Sequence, residues 1–239
     1  MDYKLALMTG ADIPIPQCGI TLHQPTIKEI SMIGEEEFLI GVQCLWIEKK
    51  TILEDNINLS DMTNFQIFMT IMQDKESGDK KASTLNVLRL LFPKYKLMFS
   101  PRAILLNSPE ENIIIDENNF MFLQEILREV FCYKESAKES FNPANDAAKE
   151  IAKKLMRGRQ RVAAQKGDAG GSILGRYVSV LTIGLGAMSL QDLVNCTMYQ
   201  IYDLIERFGL YTNYDLDIRS RLAGGKPESS PDDWMKNIH

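Results

Sequence analysis

The sequence predicts an α+β protein, predominantly helical, with a small antiparallel sheet in its N-terminal part and a helical C-terminal part. Three observations predict it. Helix N-terminus signatures recur before apolar residues at helical spacing: Thr26 with Glu29, Asn142 with Pro143, Ser172, and Ser189 with Asp192. Strand-like runs at Tyr95 to Phe99, Ala103 to Leu106 and Ile113 to Ile115 follow one another across turn residues. Finally, 45% of the 239 residues are hydrophobic and 25% charged, an ordinary globular balance that excludes a disordered chain, a collagen-like repeat or a disulfide scaffold.

Taken in order, the first 25 residues read as irregular or short strand, because Pro14, Pro16 and Pro25 lack the backbone donors a helix needs. Gly19 to His23 is the strand within them. Thr26 caps a helix carrying Ile27, Ile30 and Ile33, and Gly34 closes it. A second helix follows with Phe38, Val42, Leu45 and Trp46, its first turn made acidic by Glu35, Glu36 and Glu37 in accord with the helix dipole. Ser60 or Asp61 is expected to cap a third helix with Phe65, Phe68, Met69 and Met72 along its apolar stripe. Lys75 to Lys81 reads as a polar loop, and a helix from Ser83 ends at Phe92, before Pro93. After the three strands, Asp116 is expected to cap a strongly periodic helix through Phe120, Leu123, Leu127 and Val130.

The polar run Lys134 to Phe141 marks the expected domain boundary, dividing an α+β domain (1–134) from a helical one (135–223) and a polar tail (224–239). The second domain is expected to hold a helix at about Ala144 to Gln165, a glycine hinge at 167–171, and an apolar helix Ile173 to Leu185 capped by Ser172. A single amphipathic helix is then expected from Ser189 through Phe208, stopped at Gly209, with a short helix around Leu216 to Leu222 after it. The alternative division of that stretch into a helix-turn-helix is disfavoured. Its recognition helix would present Asp203 and Glu206 with Arg207 as the sole cation, among phosphates.

Catalytic chemistry finds little purchase. Two histidines, His23 and the terminal His239, give almost no material for a zinc site or a nucleophile with an imidazole base. The cysteines Cys18, Cys44, Cys132 and Cys196 have no CxxC spacing and read as reduced thiols, with Cys132 and Cys196 acting as small hydrophobes. The glycine hinge lacks the lysine of a phosphate loop, since Gly171 precedes Ser172. No stretch is long and apolar enough for a bilayer, and with Asp2, Lys4, Pro14 and Pro16 among the opening residues no secretory leader is expected. The expectation is a non-enzymatic protein without cofactor or metal.

Two features point to a partner. Net charge is −5, with 27 Lys+Arg against 32 Asp+Glu, yet Lys149, Lys153, Lys154, Arg157, Arg159, Arg161 and Lys166 concentrate positive charge over 149–166. A cationic helix end favoured by the dipole explains that cluster, and a nucleic-acid footprint is the competing account. Trp234 lies in a tail too polar for a core of its own, where an indole either docks back on the body or anchors a partner. Trp234, Arg157, Arg159 and Arg161 are therefore the candidate partner-binding residues.

Four segments of the N-terminal part stand out, Gln24-Pro-Thr-Ile-Lys-Glu-Ile30, Gly34-Glu-Glu-Glu-Phe38, Ile115-Asp-Glu-Asn-Asn-Phe120 and Gln124-Glu-Ile-Leu-Arg128. Arg176-Tyr-Val-Ser179, Ser189-Leu-Gln-Asp-Leu193, Thr197-Met-Tyr-Gln-Ile-Tyr202 and Asp217-Ile-Arg-Ser-Arg-Leu-Ala-Gly-Gly225 extend the pattern toward Trp234. Together they resemble a family of tailed bacteriophages, the tail assembly chaperones associated with the tape-measure protein. The resemblance implies a protein of the host bacterial cytoplasm that binds the tape-measure protein, or another tail protein, and keeps it soluble during tail morphogenesis. It implies no site residues. The methionines Met62, Met69, Met72, Met98 and Met121 would suit such adaptable binding, and core filling accounts for them at least as well. A minor tail or baseplate component of the virion, and a nucleic-acid-binding regulator using 149–166, are the alternatives.

Overall fold

A computed structural model describes residues 3–47, 62–74, 77–132 and 171–225, together with Met235. It is predominantly helical with two small antiparallel sheets, in keeping with the predicted class.

The chain opens with a helix the sequence reading missed, α1 (Tyr3–Thr9), which buries Ala6 and Leu7. The prolines that argued against helix begin only at Pro14, and their missing donors constrain nothing upstream. Strands β1 (Ile13–Ile15) and β2 (Ile20–Leu22) then form a hairpin in which Ile13 opposes Leu22 and Ile15 opposes Ile20. These four side chains point inward and are buried, while Pro14 and Thr21 alternate outward.

Thr26 caps α2 (Ile27–Ile33) as expected, in a reciprocal capping box. Its hydroxyl accepts from the Glu29 amide at 3.2 Å, and the Glu29 carboxylate accepts from the Thr26 amide at 2.8 Å. Gly34, at φ 102°, turns the chain directly into α3 (Glu35–Leu45). Partial burial alone would raise the pKa of Glu29, but bonds from the Thr26 amide and hydroxyl and from His23 outweigh it and hold the carboxyl below its usual range. A folded-state pKa below the unfolded value contributes stability above the ordinary carboxylate pKa, and that contribution is lost as pH falls through the depressed value. Glu29→Gln is therefore expected to flatten the acid limb of the stability–pH curve while leaving its slope above pH 7 unchanged, as followed by urea unfolding at stepped pH. An acid limb parallel to that of the wild type would refute the role of this carboxylate.

Helix α4 (Asn64–Gln73) is capped by Thr63 in a second capping box with Gln66. The expected caps Ser60 and Asp61 lie outside the described residues, and the helix starts after both. Helix α5 (Gly78–Leu91) begins earlier than predicted, because the polar run Asp79 to Lys81 is the exposed first turn of a helix and not a loop. Its end at Leu91, before Pro93, follows the pre-proline constraint.

The second sheet has order β3–β4–β5, from Lys96–Ser100, Ala103–Asn107 and Asn112–Ile115, all antiparallel. Central β4 places Ile104 opposite Ile115 and Leu106 opposite both Leu97 and Ile113. Asp116 does not cap the next helix. Its carboxylate accepts from the Asn118 amide at 2.9 Å, making a turn, and α6 (Phe120–Val130) starts after Asn119. Cys132, at φ 51°, ends that run.

The C-terminal part departs most from expectation. Helix α7 (Ile173–Leu185) is capped by Ser172 as predicted. The single helix expected from Ser189 to Phe208 is instead two: α8 (Leu190–Val194) and α9 (Met198–Leu222), each with its own capping box, Ser189/Asp192 and Thr197/Gln200. The break is used by the fold, since Cys196 O accepts from the Ile27 amide at 2.9 Å and Thr26 bridges Thr197. Gly209 does not stop α9, and the predicted short helix at 216–222 is its continuation. The expected helix at 144–165 and the hinge at 167–170 lie outside the described residues. One apolar cluster contains Phe38, Leu88, Ile104, Phe120 and Leu127 together with Leu174, Leu181, Leu193 and Ile201.

Candidate interaction surface

Helix α7 reads Ile-Leu-Gly-Arg-Tyr-Val-Ser-Val-Leu-Thr-Ile-Gly-Leu, apolar nearly all round with Arg176 as its single charge. Such a helix is ordinarily covered on every side. Here Leu174, Val178 and Leu181 face the core, while Ile173, Val180 and Ile183 face outward, Ile183 being 82% exposed. Leu190, on the first turn of α8, is 56% exposed. The result is an outward stripe on α7 that is apolar except for the exposed Arg176 at its middle, a candidate interaction site.

The N-terminus of α7 is tied to the body by hydrogen bonds. Ser172 Oγ accepts from the Gly175 amide at 2.7 Å, and a carboxylate oxygen of Glu35, reaching from the first turn of α3, accepts from the amides of Ile173 at 3.0 Å and Leu174 at 3.1 Å. An anionic group at a helix N-terminus satisfies otherwise orphaned donors and complements the dipole. On the inner side, Tyr177 and Tyr202 meet edge to face at 5.5 Å. Burial first, and Tyr177 second, push the Tyr202 phenol up to about 12, so it stays protonated at neutral pH. At the far end Gly184 packs closely on the Phe208 ring, which an added Cβ would displace.

A groove of about 650 Å³ lies elsewhere, between α4 and the turns that follow β3 and β5. Phe65 and Met69 form its apolar floor. Its walls are tied together by Gln66, which donates to Glu117 at 3.3 Å, and Gln73, which donates to the Pro101 carbonyl at 3.3 Å. His23 is committed structurally: its Nδ1 lies 2.9 Å from Asp12 and its Nε2 3.4 Å from Glu29. Among the described residues no group of three or more histidine, cysteine or carboxylate side chains is placed to hold a metal, and no helix is long and apolar enough to cross a membrane.

The candidate residues Trp234, Arg157, Arg159 and Arg161 lie outside the described residues, so the structure neither joins them nor separates them. Of the methionines considered for adaptable contact, Met69 and Met72 are core, whereas Met98 and Met121 are about half exposed. Sequence reasoning missed the α7 stripe, although its signal was present in the nearly uncharged run from Tyr177 to Gln191.

Residues 166–239, which include α7, α8 and α9, match the family described as YomV second domain, a phage-derived family, and the match points to a phage protein. It covers less than half of the chain. No curated protein and no solved structure matches.

Proposed function

We propose that this protein is a tail assembly chaperone that binds the tape-measure protein of a tailed phage through apolar contacts and acts without enzymatic chemistry. The observation that carries the reading is the exposure of the apolar side chains Ile173, Val180 and Ile183 on α7 and Leu190 on α8, within the segment that matches the phage-derived family. The sequence resemblance adds its weight. A tape-measure chain exposes apolar helical faces until the tail tube encloses them, and exposed apolar side chains on a second protein cover such faces.

The test is co-expression with a tape-measure fragment that is insoluble alone. The wild-type chain is expected to bring the fragment into the soluble fraction and to co-purify with it. Ile183→Asp combined with Leu190→Asp is expected to weaken the pairing about tenfold or more, since each substitution buries a charge at the contact. A fragment that stays insoluble beside the folded wild-type protein refutes the proposal. So does recovery of the protein from purified virions in stoichiometric amount, which would make it a structural tail component.

A further inference from the structure

The outward side of α7 carries one charge among apolar and small residues. Ile173, Arg176, Val180 and Ile183 follow one another at spacings of three, four and three, so they lie along one face of the helix, and all four are exposed. On the flank beside them Gly175 and Ser179 are exposed as well. A Cβ on Gly175 would have only Ser172 Oγ and Cβ within 4 Å, so nothing but the cap of the helix itself stands over that flank. Among the described residues the Arg176 side chain has no ion pair and no hydrogen bond. Glu35, the carboxylate at this end of the helix, accepts from the amides of Ile173 and Leu174 instead.

We infer that this face takes an amphipathic helix of the partner whose apolar stripe is broken by a single carboxylate, and that Arg176 is the residue that selects it. The inference rests on the reading that α7 is the contact surface. A helix laid along Ile173, Val180 and Ile183 covers Arg176 with them, because the guanidinium belongs to the same face and lies between their levels. Taking that cation out of water without a counter-charge offsets much of what the three apolar side chains contribute, so a wholly apolar partner stripe is disfavoured. A lysine or arginine opposite it is worse, by like-charge repulsion. An aspartate or glutamate level with Arg176 accepts the guanidinium fork through two parallel bonds. One charged pair within an otherwise apolar seam also fixes the register of the incoming helix.

The shape of the face agrees with a helical occupant. A helix offers no backbone edge to an extended strand, so the contact is side chain against side chain, and its anchors recur at helical spacing. From Ile173 to Ile183 the face runs about 15 Å, close to three turns of a partner helix. Gly175 and Ser179 place little bulk beside Arg176, which leaves its guanidinium space to meet a carboxylate arriving on that flank.

Two synthetic amphipathic helices serve as probes, identical except that the centre of the apolar stripe is glutamate in one and leucine in the other. By fluorescence anisotropy the full wild-type chain is expected to bind the glutamate peptide about tenfold or more tightly than the leucine peptide. Arg176→Leu is expected to reverse that preference while its urea midpoint stays at the wild-type value, and Ile183→Asp should weaken both peptides, which places them on α7. Equal binding of the two peptides by the wild type would mean that the guanidinium turns aside into water, and it overturns the inference. So does a wild type that binds neither peptide, or a preference for glutamate that survives Arg176→Leu. Co-expression with a tape-measure fragment separates this inference from the reading beneath it. A fragment that stays insoluble beside a wild type that discriminates the peptides refutes the tape-measure partner alone. A fragment kept soluble equally well by the wild type and by Arg176→Glu retains that partner and overturns selection by Arg176.

Discussion

Phe120→Ala is expected to lower the unfolding free energy by about 3–5 kcal/mol, the range for removing a fully buried phenylalanine. Phe120 is 1% exposed, and its ring centroid lies 5.1 Å from that of Phe65 and 5.1 Å from that of Phe68. It opens α6, whereas both partners sit on α4, so the three rings join two helices that share few other contacts. The void would be lined by rings that cannot collapse into it without moving α4 as a whole, which places the cost at the upper part of that range. Urea unfolding should show a lower midpoint at an unchanged slope, and Phe120→Leu should recover most of the loss. A loss below about 1 kcal/mol for the alanine variant would mean that the cluster repacks freely.

The elements legible in the sequence are those whose signal is local. The Thr26, Ser172 and Ser189 caps and the strands of the second sheet follow from side chains within a few positions of one another, and the structure has them as expected. What was not legible depends on distant partners. The break at 195–197 splits a stretch whose apolar spacing alone favours one helix, and it persists because Cys196 and Thr197 bond Ile27 and Thr26 far away in the chain. Gly209 looked like a terminator, yet no positive φ is needed there and the helix runs through it at a cost of about 1 kcal/mol. For the interaction stripe the residues were visible but their facing was not. Apolar residues all round α7 say that it should be covered, and only the packed body shows that Ile183 is not.

Gly41→Ala is expected to destabilise the protein by about 1–3 kcal/mol, reversing the sign this exchange has in an open helix, where alanine gains roughly 1 kcal/mol. Gly41 lies within α3 at its crossing with α5. A Cβ there would stand 2.5 Å from the Ser83 carbonyl oxygen, 2.8 Å from its carbon and 2.6 Å from Val87 Cγ2. The Val87 methyl can rotate, but the Ser83 carbonyl is helical backbone, so relief requires the two helices to separate. Gly209→Ala supplies the opposite case within the same molecule, since nothing lies within 4 Å of its added Cβ, and it is expected to stabilise by up to about 1 kcal/mol. Separation at Gly41 has a consequence at the α7 stripe. Glu35 sits on the first turn of α3 and holds the amides of Ile173 and Leu174, so shifting α3 pulls that carboxylate from the α7 N-terminus. Amide hydrogen exchange at those two residues should accelerate in Gly41→Ala and remain slow in Gly209→Ala. Equal stability changes in the two variants, or unchanged exchange in both, would show that α3 does not fix the position of the stripe.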